Sequence, residues 1–205
     1  MIRFKMLVAT LCATLLFASI ALAQELPRHE VSVQGTGFFT NDTTARGITQ
    51  HTTDSGGLLV SYRYQLTRWL AGDGSYGYTR NSFQNSFGPG FDIQTNVHQI
   101  TGALVITAPE SIGILKPFAL AGGGVLKFDP IENGFTGIGP FGPLGQNKGT
   151  FIYGGGTDVN FGKNVALRLE YRGLVYDRPD FGFGFLNVGK TTHTAQPSAG
   201  IVFRF

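Results

Sequence analysis

Cysteine is all but missing from this chain of 205 residues. Cys12 is the single one and lies in an N-terminal apolar run, which excludes an intramolecular disulfide and any Cys-x-x-Cys redox or zinc pair. Beyond that run no stretch reaches the roughly 18 uninterrupted apolar residues of a membrane helix. None keeps a 3.6-residue apolar period either, so helices are not expected. Catalytic signatures are also missing: there is no Gly-x-Ser-x-Gly elbow and no glycine-rich phosphate loop. The histidines His29, His51, His98 and His193 are scattered without an i, i+2 or His-x-x-x-His spacing, so neither a metal nor a cofactor is expected. Charged residues make up only 14% and are not clustered, which leaves no basic patch for nucleic acid.

What is present starts with MIRFKMLVATLCATLLFASIALA, where Arg3 and Lys5 precede an apolar run that closes on Ala21-Leu22-Ala23. This reads as a cleavable signal peptide over residues 1–23, with one domain over 24–205. Leu11, in front of Cys12, stands where a lipoprotein signal requires a small residue, so lipidation is not expected. Cleavage removes two of the sixteen basic residues and none of the thirteen acidic ones, which lowers the net charge from +3 to +1.

The organising stretch is Phe151–Tyr176. On its first arm Phe151, Tyr153, Thr157, Val159 and Phe161 share one face, and Asp158 and Asn160 the other. On its second arm Val165, Leu167, Leu169, Tyr171 and Val175 oppose Arg168, Glu170 and Arg172. A period of two means β-strands. Three successive same-face charges would be ruinous in a dry soluble core, whereas lipid outside and a polar lumen inside suit both faces. The same alternation gives strands at His29–Thr40, Gly57–Gln65, Leu70–Arg80, Ile93–Thr107, Lys116–Phe128 and Thr192–Phe205. In Lys116–Phe128 the residues Phe118, Leu120 and Leu126 are assigned to the apolar, lipid-facing side. Long loops at Asn41–Asp54, Arg80–Asp92, Asp129–Thr150 and Asp177–Lys190 alternate with short turns. The expected fold is all-β: a closed eight-stranded antiparallel up-and-down transmembrane β-barrel.

Register follows from the two tight hairpins. Folding about Lys163 sets Tyr171 opposite Gly155, Gly173 opposite Tyr153 and Asp158 opposite Arg168. Folding about Arg68 sets Tyr64 opposite Gly72, Tyr62 opposite Gly74 and Arg63 opposite Asp73. Each hairpin then carries aromatic-over-glycine pairs outside and an acid-base pair inside.

Several pieces, in this order, carry a family resemblance. They are Tyr62-Arg63-Tyr64 before Trp69-Leu70, Ala121-Gly122-Gly123-Gly124-Val125, Gly154-Gly155-Gly156-Thr157-Asp158 with Leu167-Arg168-Leu169-Glu170-Tyr171-Arg172, and the ending Ile201-Val202-Phe203-Arg204-Phe205. The chain resembles the small eight-stranded outer-membrane barrels of the OmpA/OmpX type, the porin-family barrel domains found alone behind a signal peptide. The resemblance implies a place in the outer membrane of a Gram-negative-type bacterium. It also implies an assembly signal at Ile201, Phe203 and Phe205, read by the barrel assembly machinery. Pro197 departs from a regular strand and is expected to leave the last strand bent or unpaired on one side. No peptidoglycan-binding domain is expected after the barrel.

Arg63, Asp73, Asp158, Arg168, Glu170 and Arg172 admit two readings, a catalytic or transport constellation and a salt-bridge network filling a lumen only wide enough for side chains. Acid-base pairing between neighbouring strands favours the second. His98 with Ser82, Ser86 or Asp92 is the nearest approach to the His, Ser and acid of the lipid A deacylases that resemble the chain in size, and it is a poor one. Omptin proteases are larger barrels. The chain is therefore read as a non-enzymatic structural or surface-interaction protein, with a small porin or transport barrel as alternative and a lipid A-modifying enzyme behind it. A soluble lipocalin-like barrel is disfavoured by the apolar outward faces.

The expected partners are outer-membrane lipid and lipopolysaccharide, with an extracellular partner at the loops, and the chain is expected to be a monomer. The loops carry Phe83, Phe87, Phe91, Phe135, Phe141, Phe181, Phe183 and Phe185. These rings either pack as a cap or aromatic girdle or present an interaction surface. Replacing Phe181, Phe183 and Phe185 together by Ser separates the two: packed rings predict lower heat resistance, and a contact surface predicts unchanged heat resistance with lost cell adhesion.

Overall fold

Alternation at every second residue is realised in ten strands of the computed structural model, which describes residues 28–41, 43–45, 48–52, 54–85, 93–131, 144–177, 179 and 191–205. Eight are long: β1 (His29–Thr40), β4 (Ser55–Gln65), β5 (Leu70–Asn85), β6 (Ile93–Thr107), β7 (Leu115–Pro130), β8 (Gln146–Asn160), β9 (Val165–Asp177) and β10 (Thr191–Arg204). Two short ones, β2 (Thr43–Ala45) and β3 (Ile48–Thr52), occupy the segment expected to be a long loop. β3 pairs with the end of β5 through Thr52↔Phe83, His51↔Gln84 and Gln50↔Asn85. β6 pairs with β5 above Arg80 as far as Phe83↔Ile93 and β3 with its last residues, so β5 continues five residues past its expected end.

The long strands form a closed ring, with each antiparallel to its neighbours in the chain and β10 pairing back to β1. Closure is what a membrane demands of a sheet, because each unpaired backbone group in hydrocarbon costs several kcal/mol. The seam runs from Glu30↔Arg204 to Thr36↔Ser198 and resumes at Phe39↔Ala195. The gap faces Pro197, which has no N–H to donate. Its carbonyl accepts from Thr36 Oγ1 at 3.1 Å, and on the β9 side it stays opposite Tyr171. The break is thus one-sided, as the proline requires. His29 and Phe205 close the seam with reciprocal backbone hydrogen bonds of 3.0 and 2.9 Å.

Both hairpin registers are those read from the sequence: Arg63↔Asp73, Tyr62↔Gly74 and Tyr64↔Gly72 in one, Asp158↔Arg168, Gly155↔Tyr171 and Tyr153↔Gly173 in the other. Ring-over-glycine cover is less general than expected. Tyr153 does lie over Gly173, with its hydroxyl at 2.9 Å from His193 Nε2. The space above Gly72 and Gly74 is open, because Tyr62 leans the other way, to His29 Nδ1 at 2.7 Å.

One assignment is overturned. Phe118, Leu120 and Leu126 are buried in the lumen, not turned to lipid. The register Lys116↔Asp158 decides it: with Asp158 inward, every even-numbered residue of β7 is inward too. The lipid-facing side of β7 is left to the small residues Ala119, Ala121 and Gly123, followed by Val125.

Inward glycines let neighbouring strands approach. A Cβ on Gly154 would collide with the Tyr171 carbonyl oxygen and lie 3.1 Å from Arg172 Cα, whereas one on Gly74 meets nothing within 4 Å. Gly154→Ala is expected to cost about 1–3 kcal/mol through overpacking, and Gly74→Ala to stay within about 0.5 kcal/mol of the parent. Urea unfolding from lipid vesicles, followed by the single tryptophan Trp69, measures both.

Candidate functional site

The lumen gathers the charged side chains that alternation turns inward. Arg63 Nε binds Asp73 at 3.2 Å. Arg168 holds Asp158 at 2.7 Å and Glu30 at 2.9 Å. Arg172 pairs with Glu170 and reaches Asp73 at 3.2 Å. Arg204 binds Glu30 at 2.9 Å and Asp158 at 2.6 Å. Among the described residues the network is four arginines and four carboxylates, and Arg168 and Arg172 are 0% exposed. All six residues of the expected network are in it, with Glu30 and Arg204 added. Their inward parity was available from Ser32, Gln34 and Thr36 on one strand and from Ile201, Phe203 and Phe205 on the other. The closed barrel expected from the sequence brings the first and last strands together, but nothing in the sequence set the register that places Glu30 opposite Arg204.

Two contacts run straight across the ring. β5 and β9 lie four places apart, yet Arg172 bonds Asp73 and donates to Ser75 Oγ at 2.6 Å. β6 and β10 are likewise opposed, and Gln196 donates to Gln99 at 3.0 Å. Phe118 lies against two guanidinium groups, with Arg63 Cζ 4.5 Å and Arg168 Cζ 5.2 Å from its ring centre. These two arginines own the guanidinium nitrogens that lack a hydrogen bond, Arg63 Nη2 and Arg168 Nη1. The ring face gives them a weak electrostatic partner in place of an oxygen.

Nearer the long connections the lumen changes character. Phe38, Val97, Leu126, Phe128, Ile152, Leu174 and Tyr176 form a buried apolar layer there. Tyr176 keeps its hydroxyl satisfied on Thr194 Oγ1 at 3.0 Å. The charges are therefore gathered near the short turns, and the lumen above mixes this apolar cluster with buried Thr79, Thr95, Thr192 and Thr194, where a polar lumen throughout was expected.

Outside, the apolar surface of β5–β7 ends between two rows of paired residues. Tyr76, Ile100 and Val125 are exposed apolar side chains, and the next row is Tyr78, His98 and Lys127. His98 faces outward, bonded to the Tyr76 hydroxyl at 2.8 Å and 3.8 Å from Asp129. The structure thus places His98 at this polar border, while Ser86 and Asp92 lie outside the described residues. So do Phe87, Phe91, Phe135, Phe141, Phe181, Phe183 and Phe185. Ile201, Phe203 and Phe205 are on the outer surface.

A closed eight-stranded ring, apolar outside and charged within, defines a transmembrane β-barrel of the outer-membrane class. The chain belongs to the outer membrane protein beta-barrel domain family, whose model matches residues 9–205, and is accordingly an outer-membrane protein of a Gram-negative-type bacterium. Its fold is similar to that of OprG from Pseudomonas aeruginosa, at 12% identity and a TM-score of 0.61, covering 88% of this chain and 97% of OprG. Neisserial surface protein A matches at 13% and 0.58, over 86% of this chain and 97% of its own. Ail, the attachment invasion locus protein of Yersinia pestis, matches at 17% and 0.51, over 88% and 100%. No curated protein sequence matches this chain at a significant level.

Arg168→Met strips Asp158 and Glu30 of a buried partner and is expected to cost about 3–5 kcal/mol in urea unfolding from vesicles. A loss below about 1 kcal/mol, the scale of solvated pairs, contradicts a desolvated network.

Proposed function

We propose that this outer-membrane barrel is a non-enzymatic structural and surface-interaction protein, with a closed lumen that acts as a rigid stem for the long connections. The observation that carries this reading is the direct spanning of the ring by side chains, Arg172 to Asp73 and Gln196 to Gln99, under a buried apolar layer. A solute passing through would have to break a desolvated ion network and then open a packed apolar layer. The contact surface then falls to the long connections, with their phenylalanines, and the partners to lipopolysaccharide and an extracellular molecule. Ile201, Phe203 and Phe205 serve the assembly machinery.

A small conductance is the second reading. It is favoured by Arg63 Nη2 and Glu170 Oε2, which face each other at 4.0 Å without a hydrogen bond, a spacing at which water can bridge.

Planar-bilayer recording separates the readings. The parent protein is expected to give no steady openings, and the pair Arg172→Ala with Gln196→Ala, which removes both cross-lumen contacts, is expected to introduce them. Steady openings of the parent, on the nanosiemens scale of open porins, contradict the closed stem.

A further inference from the structure

We propose that the short-turn mouth of the barrel, which faces the periplasm in this family, is a binding site for an oxyanion, a phosphate or carboxylate group presented along the barrel axis. A cavity of about 310 Å³ opens there. Its basic lining is Arg68 from the turn between β4 and β5, Lys116 from the start of β7, Lys163 from the turn between β8 and β9, and Arg204 from the end of β10. Gln65 and Asn160 add side-chain amides. The single acid in the lining is Glu30, so the cavity carries a net charge of +3.

That excess is not neutralised by the neighbouring network. Glu30 Oε1 is held by Arg204 at 2.9 Å and its Oε2 by Arg168 at 2.9 Å. Asp158 accepts from Arg168 at Oδ1, at 2.7 Å, and from both Arg168 and Arg204 at Oδ2. Lys116 lies opposite Asp158 in the strand pairing, yet no ion pair joins them, because two arginines already occupy that carboxylate. Among the described residues Arg68, Lys116 and Lys163 have no acidic partner. Lys116 is also half withdrawn from water, where an unpaired ammonium is costly.

An anion from solution removes that cost. The wall of the mouth is the low-dielectric rim of the barrel, which concentrates the field of like charges inside it. A lysine, two amides and a pair of turn cations can together donate to several oxygens of one tetrahedral or planar oxyanion. The lining residues sit on inward faces and turns, so the ligand enters from the aqueous end and not from the lipid flank. This identifies a free periplasmic anion before a lipid headgroup. The inference is independent of whether the long connections bind a partner.

The test uses the mature barrel refolded in maltoside micelles, with pyrophosphate and tricarballylate as probes in calorimetric titration. Saturable binding of at least one probe at one site per barrel is expected, weakening as salt is added. Lys116→Met should reduce affinity about tenfold, the scale of one charge-assisted hydrogen bond. Arg68→Gln with Lys163→Gln, both on exposed turns, carries the test should Lys116→Met fail to show the heat-modifiable gel mobility of a folded barrel. Lys127→Gln, on the outer surface, should leave affinity unchanged. Absence of saturable binding, or an equal loss in Lys127→Gln, overturns the site. Repetition in nanodiscs with phosphatidylglycerol assigns the source: unchanged probe binding supports a free anion, and competition gives the same oxyanion site to a lipid headgroup.

Discussion

The meeting of β1 with β10 is the constraint on which the rest of the barrel depends. Seven of the eight junctions between long strands join neighbours in the chain, and the eighth joins its two ends. Until Glu30 comes opposite Arg204, two strand edges face hydrocarbon with unpaired backbone groups, an arrangement lipid does not tolerate. The same contact brings Arg204 to Glu30 and Asp158 and so completes the lumen network. Backbone closure and side-chain neutralisation are one event. The gap at Pro197 shows how much irregularity the seam accepts: Thr36 Oγ1 substitutes for the missing ladder bond.

Inside the ring, charge and volume have to be solved together. Four buried arginines and four buried carboxylates carry a desolvation cost that only close mutual pairing offsets. The glycines on the inward faces of β7 and β8 let the neighbouring strands approach closely, and Phe118 supplies a ring face where an oxygen is lacking. The apolar side chains from Phe38 to Tyr176, with buried threonines among them, fill the remaining height. A lumen occupied in this way leaves little for function in the middle of the molecule and moves it to the ends. The ends are chemically different, with phenylalanine-rich connections at one and an unmatched basic cavity at the other.

Much of this was legible in the residues because the information was local. Each hairpin carries its own register check, since an error of one position would turn Arg63 or Arg168 into lipid, and both registers are found as read. The errors fall where local information is silent. β7 alternates large apolar with small apolar residues, Phe118, Leu120 and Leu126 against Ala119, Ala121 and Gly123, so hydrophobicity could not choose its inner face. The pairing with β8 chose it: Lys116 comes opposite the inward Asp158, and that turns Phe118, Leu120 and Leu126 into the lumen. The threonine-rich segment after β1 showed no strand pattern, and β2 and β3 form there because the extended end of β5 offers an edge to pair with.

The sequence by itself determined the strands, their short-range pairing and which charges face inward, because a period of two and a tight turn leave those choices no freedom. Only the tertiary structure decided that Glu30 and Arg204 belong to the network, that Phe118 lies against two arginines, and that Lys116 has no acidic partner among the described residues. Each of these depends on which strands close the ring and on how side chains from its opposite sides share one confined volume. Such proximity is set by the curvature of the whole sheet and is written in no single stretch of the chain.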